Sequence, residues 1–143
     1  MEQVEQEFGF RGDRVRRHTS PGVNREINQE MQTEVQAHTS GDPREIDKRI
    51  RELEEEWDIE RVLELHAAAV GLFGLILGTA KNRKWLLLPG IVLSFLMVHV
   101  VEGLYPPIAV FRRLGIRTQR EIEAEKYALK ALQKERYKDG GII

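Results

Sequence analysis

The 143-residue chain has no cysteine and few aromatic residues, which make up 7% of the sequence. The lack of cysteine excludes disulfides, thiolate metal sites and cysteine nucleophiles. Basic and acidic residues nearly cancel, 22 against 23, so the excess of positive charge typical of nucleic-acid-binding proteins is also missing. The first residues, Met1 to Glu5, lack the basic and apolar pattern of a cleavable signal peptide. We therefore predict no signal peptide, no cofactor and no nucleic-acid partner.

Charge is missing locally from two long apolar runs, residues 67–80 and 85–101, which are joined by Lys81-Asn82-Arg83-Lys84. The mean hydropathy of the whole chain, -0.41, is typical of a soluble protein, but it averages these runs with highly charged flanks. A four-residue connection makes consecutive helices antiparallel neighbours, so the runs predict a helical hairpin. Such a hairpin must bury its apolar surface in a bilayer or in an oligomer.

The flanking periodicity predicts an all-α fold, a two-helix transmembrane hairpin flanked by amphipathic helices. In the predicted helical domain, 42–143, Ile46, Ile50 and Leu53 share one face of an amphipathic helix over 43–57. The apolar helices are predicted at 59–80 and 84–105. A last helix at 118–138 begins with the capping-box pattern of Thr118 and Glu121. Residues 108–113 are apolar and then basic, as expected along a membrane surface.

Residues 1–41 contain few large apolar side chains. We therefore predict a flexible N-terminal tail that buries little and contains at most a short helix, which would begin at Ser20-Pro21.

Small residues form a stripe on the first apolar helix and a smaller face on the second. Helices in lipid depend on close backbone packing, so these residues favour a membrane hairpin over a soluble oligomer, which stays as the alternative. Trp57, Trp85 and Tyr105 are predicted at the membrane interface. The predicted helix-packing residues are Ala67, Gly71, Gly74, Gly78, Gly90 and Ser94.

His66, His99 and Glu102 are the only candidate chemical group. In a hairpin that turns near residues 82–83, His66 lies level with His99, and Glu102 follows three residues later on the same helix. Histidine and carboxylate at one depth indicate either a metal or proton-relay site or ordinary interfacial hydrogen bonding. No residue has a pattern that predicts catalysis.

Several segments together resemble the bacterial family of small proteins with a YgaP-like inner-membrane hairpin, a domain of unknown function. They are residues 57–64, Arg83-Lys84-Trp85-Leu86, His99 through Pro107, 112–118 and 128–132. The resemblance covers about residues 44–133 and implies a transmembrane hairpin that tends to dimerise. Some relatives fuse the hairpin to a rhodanese sulfurtransferase domain, whose catalytic cysteine has no counterpart here. Many members have Trp-Cys before the paired prolines, where this chain has Leu104-Tyr105.

We therefore predict a small non-enzymatic protein of the bacterial inner membrane. It would self-associate, with a dimer favoured, and would present helices to a protein partner through its N-terminal tail or amphipathic helices. The larger polar segments and their flanking arginines favour both termini in the cytoplasm, although the basic connection argues for the reverse.

Overall fold

The computed structural model describes residues 12–39 and 42–139, and every regular element in these residues is a helix. The predicted all-α class, with an apolar hairpin between flanking helices, is confirmed. The elements are α1 (Arg14–Arg17), α2 (Pro21–Ala37), α3 (Pro43–Glu55), α4 (Ile59–Ala80), a 3₁₀ turn (Arg83–Leu86) that continues into α5 (Leu87–Glu102), α6 (Ile108–Arg113) and α7 (Gln119–Asp139).

The ends of these helices follow local chemistry. The Asp42 and Asp58 side chains accept hydrogen bonds from backbone N–H groups at the starts of α3 and α4, so the chain breaks between these helices instead of running through. The second arm was predicted to extend to residue 105 but ends at Glu102, because Gly103 has φ +77° and terminates α5. Thr118 and Glu121 bond each other's backbone N–H groups and form the predicted capping box.

The two hairpin arms, α4 and α5, approach closely through glycine. A Cβ added at Gly74 would lie 2.6 Å from Cδ of Pro89, and one at Gly78 would lie 2.5 Å from Leu86. Close approach of the backbones at these two positions therefore requires residues without a side chain.

The remaining helices, α1, α2, α3, α6 and α7, form a headpiece at the open end of the hairpin. The apolar face of α3 packs against α7, and Met31 of α2 packs on Ala124 of α7. The α3–α7 core consists of Ile46, Ile50, Leu53, Ile122 and Leu129. A second cluster joins the headpiece to the hairpin and consists of Val15, Ile59, Leu63, Tyr105 and Ile108.

The N-terminal region differs from the predicted tail. Residues 14–17 and 21–37 are helical, and Val15, Ile27 and Met31 are buried, so the prediction that this region buries little is wrong for residues 12–39. The spacing of four between Ile27 and Met31 gives α2 a narrow apolar stripe, and α7 covers it. Predictions for residues 1–11, 40 and 41 lie outside the described residues.

Candidate functional site at the base of the hairpin

The open end of the hairpin holds a cluster of rings around Tyr105. The Tyr105 ring meets His66 edge-on at a centroid distance of 6.1 Å and His99 at 6.4 Å. Its hydroxyl lies 3.3 Å from Nδ1 of His66. Tyr105 is only 4% exposed, and burial raises the pKa of its phenol. Both histidines therefore lie at one depth, as predicted, and each contacts the ring of Tyr105, which follows α5 in the chain.

The metal interpretation of His66, His99 and Glu102, one of the alternatives that the sequence leaves open, finds no support in the described residues. No three His, Asp or Glu side chains in residues 12–39 and 42–139 are arranged to hold a metal ion. The physical reason is that the Tyr105 ring contacts both histidines, while Glu102 is exposed at the end of α5. The Tyr105 hydroxyl and Nδ1 of His66 share a hydrogen bond, and the proton-relay interpretation stays a prediction.

A polar cavity of about 360 Å³ adjoins the same end of α5. Nδ1 of His99 is buried without a hydrogen-bond partner among the described residues. Arg14 crosses this end of the hairpin and donates from its guanidinium to the carbonyl oxygens of Val100 and Val101. These carbonyls belong to the last turn of α5, where helical partners are lacking, so Arg14 caps the helix. The cavity is lined by Arg14, Glu60, His99, Gly103 and Arg120, among others.

Beneath this layer the headpiece encloses a group of buried ions. The Arg112 side chain is fully buried and pairs with Glu121 through two hydrogen bonds, Nη1 to Oε2 at 2.5 Å and Nη2 to Oε1 at 2.7 Å. Arg16 of α1 donates to the same carboxylate, and Asn24 of α2 accepts from Arg112 at 3.1 Å. Glu121 therefore fastens α1, α6 and α7 together. The prediction that residues 108–113 lie along a membrane surface is wrong for Arg112.

A second ion group lies next to the first and connects α3 to α7. Arg117 donates to both oxygens of Glu56, with Nε 2.7 Å from Oε1, and also donates to Glu125. Arg49 of α3 donates to Oε1 of Glu125 at 2.9 Å. The backbone oxygen of Arg117 accepts from Ile59 N at 2.9 Å, so the start of the first hairpin arm is fixed to the same arginine.

In both ion groups, burial disfavours the charged forms of the side chains, and pairing with opposite charges favours them. Burial alone would raise the pKa of Glu121, but hydrogen bonds and charge from Arg112, the Thr118 N–H and nearby Arg16 outweigh it and lower that pKa. Burial likewise opposes the charge of Arg117, yet the hydrogen bonds that it donates to Glu56 and Glu125, together with their negative charges, raise the pKa of its guanidinium. Glu121 and Arg117 are therefore both held in their charged forms by the partners that surround them.

The predicted helix-packing residues divide into two sets. Ala67, Gly74 and Gly78 are buried in the chain. Gly71 is half-buried and Gly90 is exposed, and a Cβ at either position would meet no atom of the described residues within 4 Å. Ser94 is also exposed and donates to the Gly90 carbonyl at 2.9 Å.

The residues predicted at the membrane interface differ in exposure. Trp57 and Trp85 are 50% and 43% exposed, and the guanidinium of Arg61 lies 4.9 Å from the centre of the Trp57 ring. Tyr105, by contrast, is buried in the junction between the hairpin and the headpiece, and its position at the membrane interface stays a prediction.

The hairpin places this chain in a broad structural class. It is an all-helical protein with two stretches long and apolar enough to cross a membrane, Pro43–Ala80, within which α4 supplies the apolar part, and Arg83–Glu102. Only 22% and 6% of their most apolar 18-residue windows are buried in the protein. Comparisons with protein-family models, with curated proteins and with solved structures found no match to this chain.

Sequence reasoning missed the two ion groups. Arg16 and Glu121 are 105 positions apart, so no local spacing connects them. The one available signal was the capping-box pattern at Thr118, which identified Glu121 as a residue with a structural partner.

Proposed function

We propose that this chain is a small non-enzymatic integral membrane protein whose hairpin self-associates and whose headpiece is presented to a protein partner. The observation that carries the proposal is the outward exposure of large apolar side chains along both hairpin arms. The core helix of a soluble domain would bury such side chains. Examples along the two arms are Leu72, Phe73, Ile76, Leu87, Leu93 and Met97.

The dimensions of the hairpin support a bilayer as its solvent. The 22 residues of α4 give a length of about 33 Å, close to the thickness of a hydrocarbon core. Half-exposed tryptophans lie near the two ends of the hairpin, Trp57 at the base and Trp85 at the turn, where the headgroup layers would be.

Self-association is supported by an apolar groove of about 510 Å³ between the arms. Gly71 lines it, and no neighbour among the described residues requires a glycine there. Glycine costs about 1 kcal/mol relative to alanine inside a helix. A second copy that packs into the groove, as the predicted dimer requires, would account for that cost.

Presentation to a partner is supported by a second, acidic groove on the headpiece, about 550 Å³ in volume. It lies between α2 and the α3–α7 pair and is lined by Glu26, Glu30 and Glu34, among others. In this arrangement the hairpin anchors the headpiece and the grooves receive proteins.

For location we propose the bacterial inner membrane with both termini in the cytoplasm, and membership of the YgaP-like hairpin family. The large polar headpiece supports this orientation. Because the chain has no native cysteine, single cysteines at Asn82 and Lys138 test it with a membrane-impermeant thiol reagent in intact cells. Labelling at the tip position alone is expected, whereas labelling at position 138 alone would reverse the orientation.

The alternative is a soluble all-α homo-oligomer that buries the same apolar side chains in a shared core. Fractionation of lysed cells without detergent distinguishes a membrane protein from a soluble oligomer. The membrane proposal expects the full chain in the high-speed pellet and its release only by detergent. Recovery in the supernatant as a defined oligomer would establish the alternative.

A further inference from the structure

The tip of the hairpin is the only strongly charged region between the two apolar arms. Lys81, Arg83 and Lys84 lie within four residues, and no acidic residue occurs between Glu64 and Glu102. Because the whole chain carries a net charge of -1 and the tip carries three positive charges, the rest of the chain has a net charge of -4. The hairpin tip is thus basic, and the rest of the chain has a net negative charge.

The backbone of the tip is well defined by hydrogen bonds. The N–H groups of Lys81 and Asn82 both donate to the Leu77 carbonyl, at 2.9 and 3.0 Å. The Asn82 side chain accepts from Lys84 N at 2.9 Å, and the Asn82 carbonyl accepts from Trp85 N at 3.0 Å. The turn therefore fixes the positions from which the three cationic side chains project, and this reduces the entropy cost of ligand binding.

The three cations have no acidic partner among residues 12–39 and 42–139, and all three are exposed. Exposed lysines of the headpiece, by contrast, include Lys48, which pairs with Glu52 one helical turn away. Directly beside the tip cations, Trp85 packs edge-on against Phe73 at 6.3 Å, and Leu87 is 68% exposed. Cations next to exposed aromatic and aliphatic side chains match the boundary between lipid phosphates and hydrocarbon.

We propose that the hairpin tip, residues 81–85, is a binding site for the phosphate headgroups of anionic lipids. This inference rests on the proposed insertion of the hairpin into a bilayer. The length of α4, about 33 Å, places the tip at the headgroups of the leaflet opposite the headpiece. There the three cations bind lipid phosphate, and Arg83 can donate two parallel hydrogen bonds to one phosphate group. Trp85 lies at the adjoining glycerol level.

Fluorescence of Trp85 provides the test. The chain has two tryptophans, so Trp57→Phe leaves Trp85 as the only reporter. The full chain is placed in nanodiscs of mixed phosphatidylcholine and phosphatidylglycerol, and bromine is carried on the acyl chains of either one lipid or the other. We expect about fivefold enrichment of phosphatidylglycerol beside Trp85, the factor that corresponds to about 1 kcal/mol for one cation near an anionic surface. Higher ionic strength should reduce the enrichment.

Two charge variants in the same Trp57→Phe background make the test specific. The tip variant combines K81Q, R83Q and K84Q and should abolish the enrichment. The matched control removes three exposed headpiece lysines, K130Q, K134Q and K138Q, and should keep it. Equal quenching by both lipids in the unaltered tip, enrichment that survives the tip variant, or its loss in the control would each overturn the proposal. If neither lipid quenches Trp85, the proposed membrane insertion itself fails.

Discussion

Replacing Glu121 by glutamine tests whether the buried ions hold the headpiece together. The carboxylate is fully buried and accepts from Arg112, from Arg16 and from the Thr118 N–H, which lies 2.8 Å away. Glutamine has nearly the same shape but no charge, and its amide group would direct N–H donors toward guanidinium groups that also only donate. The variant therefore leaves two buried cations without their shared anion.

The expected loss follows from that arrangement. Removing one member of a buried ion pair destabilises a protein by about 3–5 kcal/mol, mostly because the remaining charge stays buried and uncompensated. Arg112 has a side-chain exposure of 0% and Arg16 of 5%, so solvent cannot replace the lost carboxylate. We expect E121Q to lower the free energy of unfolding of the headpiece by about 4 kcal/mol. This is a large part of the total for a domain of ordinary stability.

The assay is urea unfolding of the headpiece in detergent micelles, followed by the fluorescence of Trp57 in a Trp85→Phe background. The matched control is Glu123→Gln, which removes a partly exposed carboxylate that pairs with Lys126 one turn away. That change should cost at most about 0.5 kcal/mol. If E121Q is no more destabilising than the control, the interpretation of Glu121 as the joint between α1, α6 and α7 is wrong.

Three further predictions concern glycine and acid. Gly74→Ala should separate the hairpin arms, because the new Cβ would lie 2.6 Å from a proline on the facing helix. The distance between spin labels on the two arms measures this separation. Gly71→Ala is the control and should keep that distance, since its Cβ would meet no described atom within 4 Å. Gly103→Ala should release α1 from the hairpin and expose it to limited proteolysis, since its Cβ would lie 2.4 Å from an α1 side chain. Gly115→Ala has a similar φ of +82°, but its Cβ would meet no described atom within 4 Å, so it should cost only about 1 kcal/mol of backbone strain. Because the folded pKa of Glu121 lies below its ordinary value of 4.5, its stabilisation is complete above that pH and is lost as the pH falls through the folded pKa. Acid titration of the urea midpoint should therefore be flatter in E121Q, and an equal slope in both proteins would contradict the assignment.

The hairpin was predictable because its signals are local. The two apolar runs and the short connection between them are each read from consecutive residues. The structure begins α4 at residue 59 and ends it at residue 80, as the sequence pattern predicts. Gly74 and Gly78 likewise lie on the face that meets the second arm.

The headpiece was less predictable because its contacts join distant parts of the chain. A charged residue in a polar segment is usually exposed, so Arg16 and Arg112 gave no sign of burial. Their burial depends on a carboxylate that α7 supplies, 105 and 9 positions away. Tyr105 illustrates the same difficulty. An aromatic residue at the end of an apolar run is typical of an interface, but here the chain folds back and encloses it between two histidines.

Burial of the two apolar arms in lipid is tested by detergent-free fractionation of cells that express the full chain. We expect the chain to sediment with membranes, to resist extraction by alkaline carbonate and to be released by detergent. A chain that remains in the high-speed supernatant, or that carbonate releases from the pellet, would contradict it.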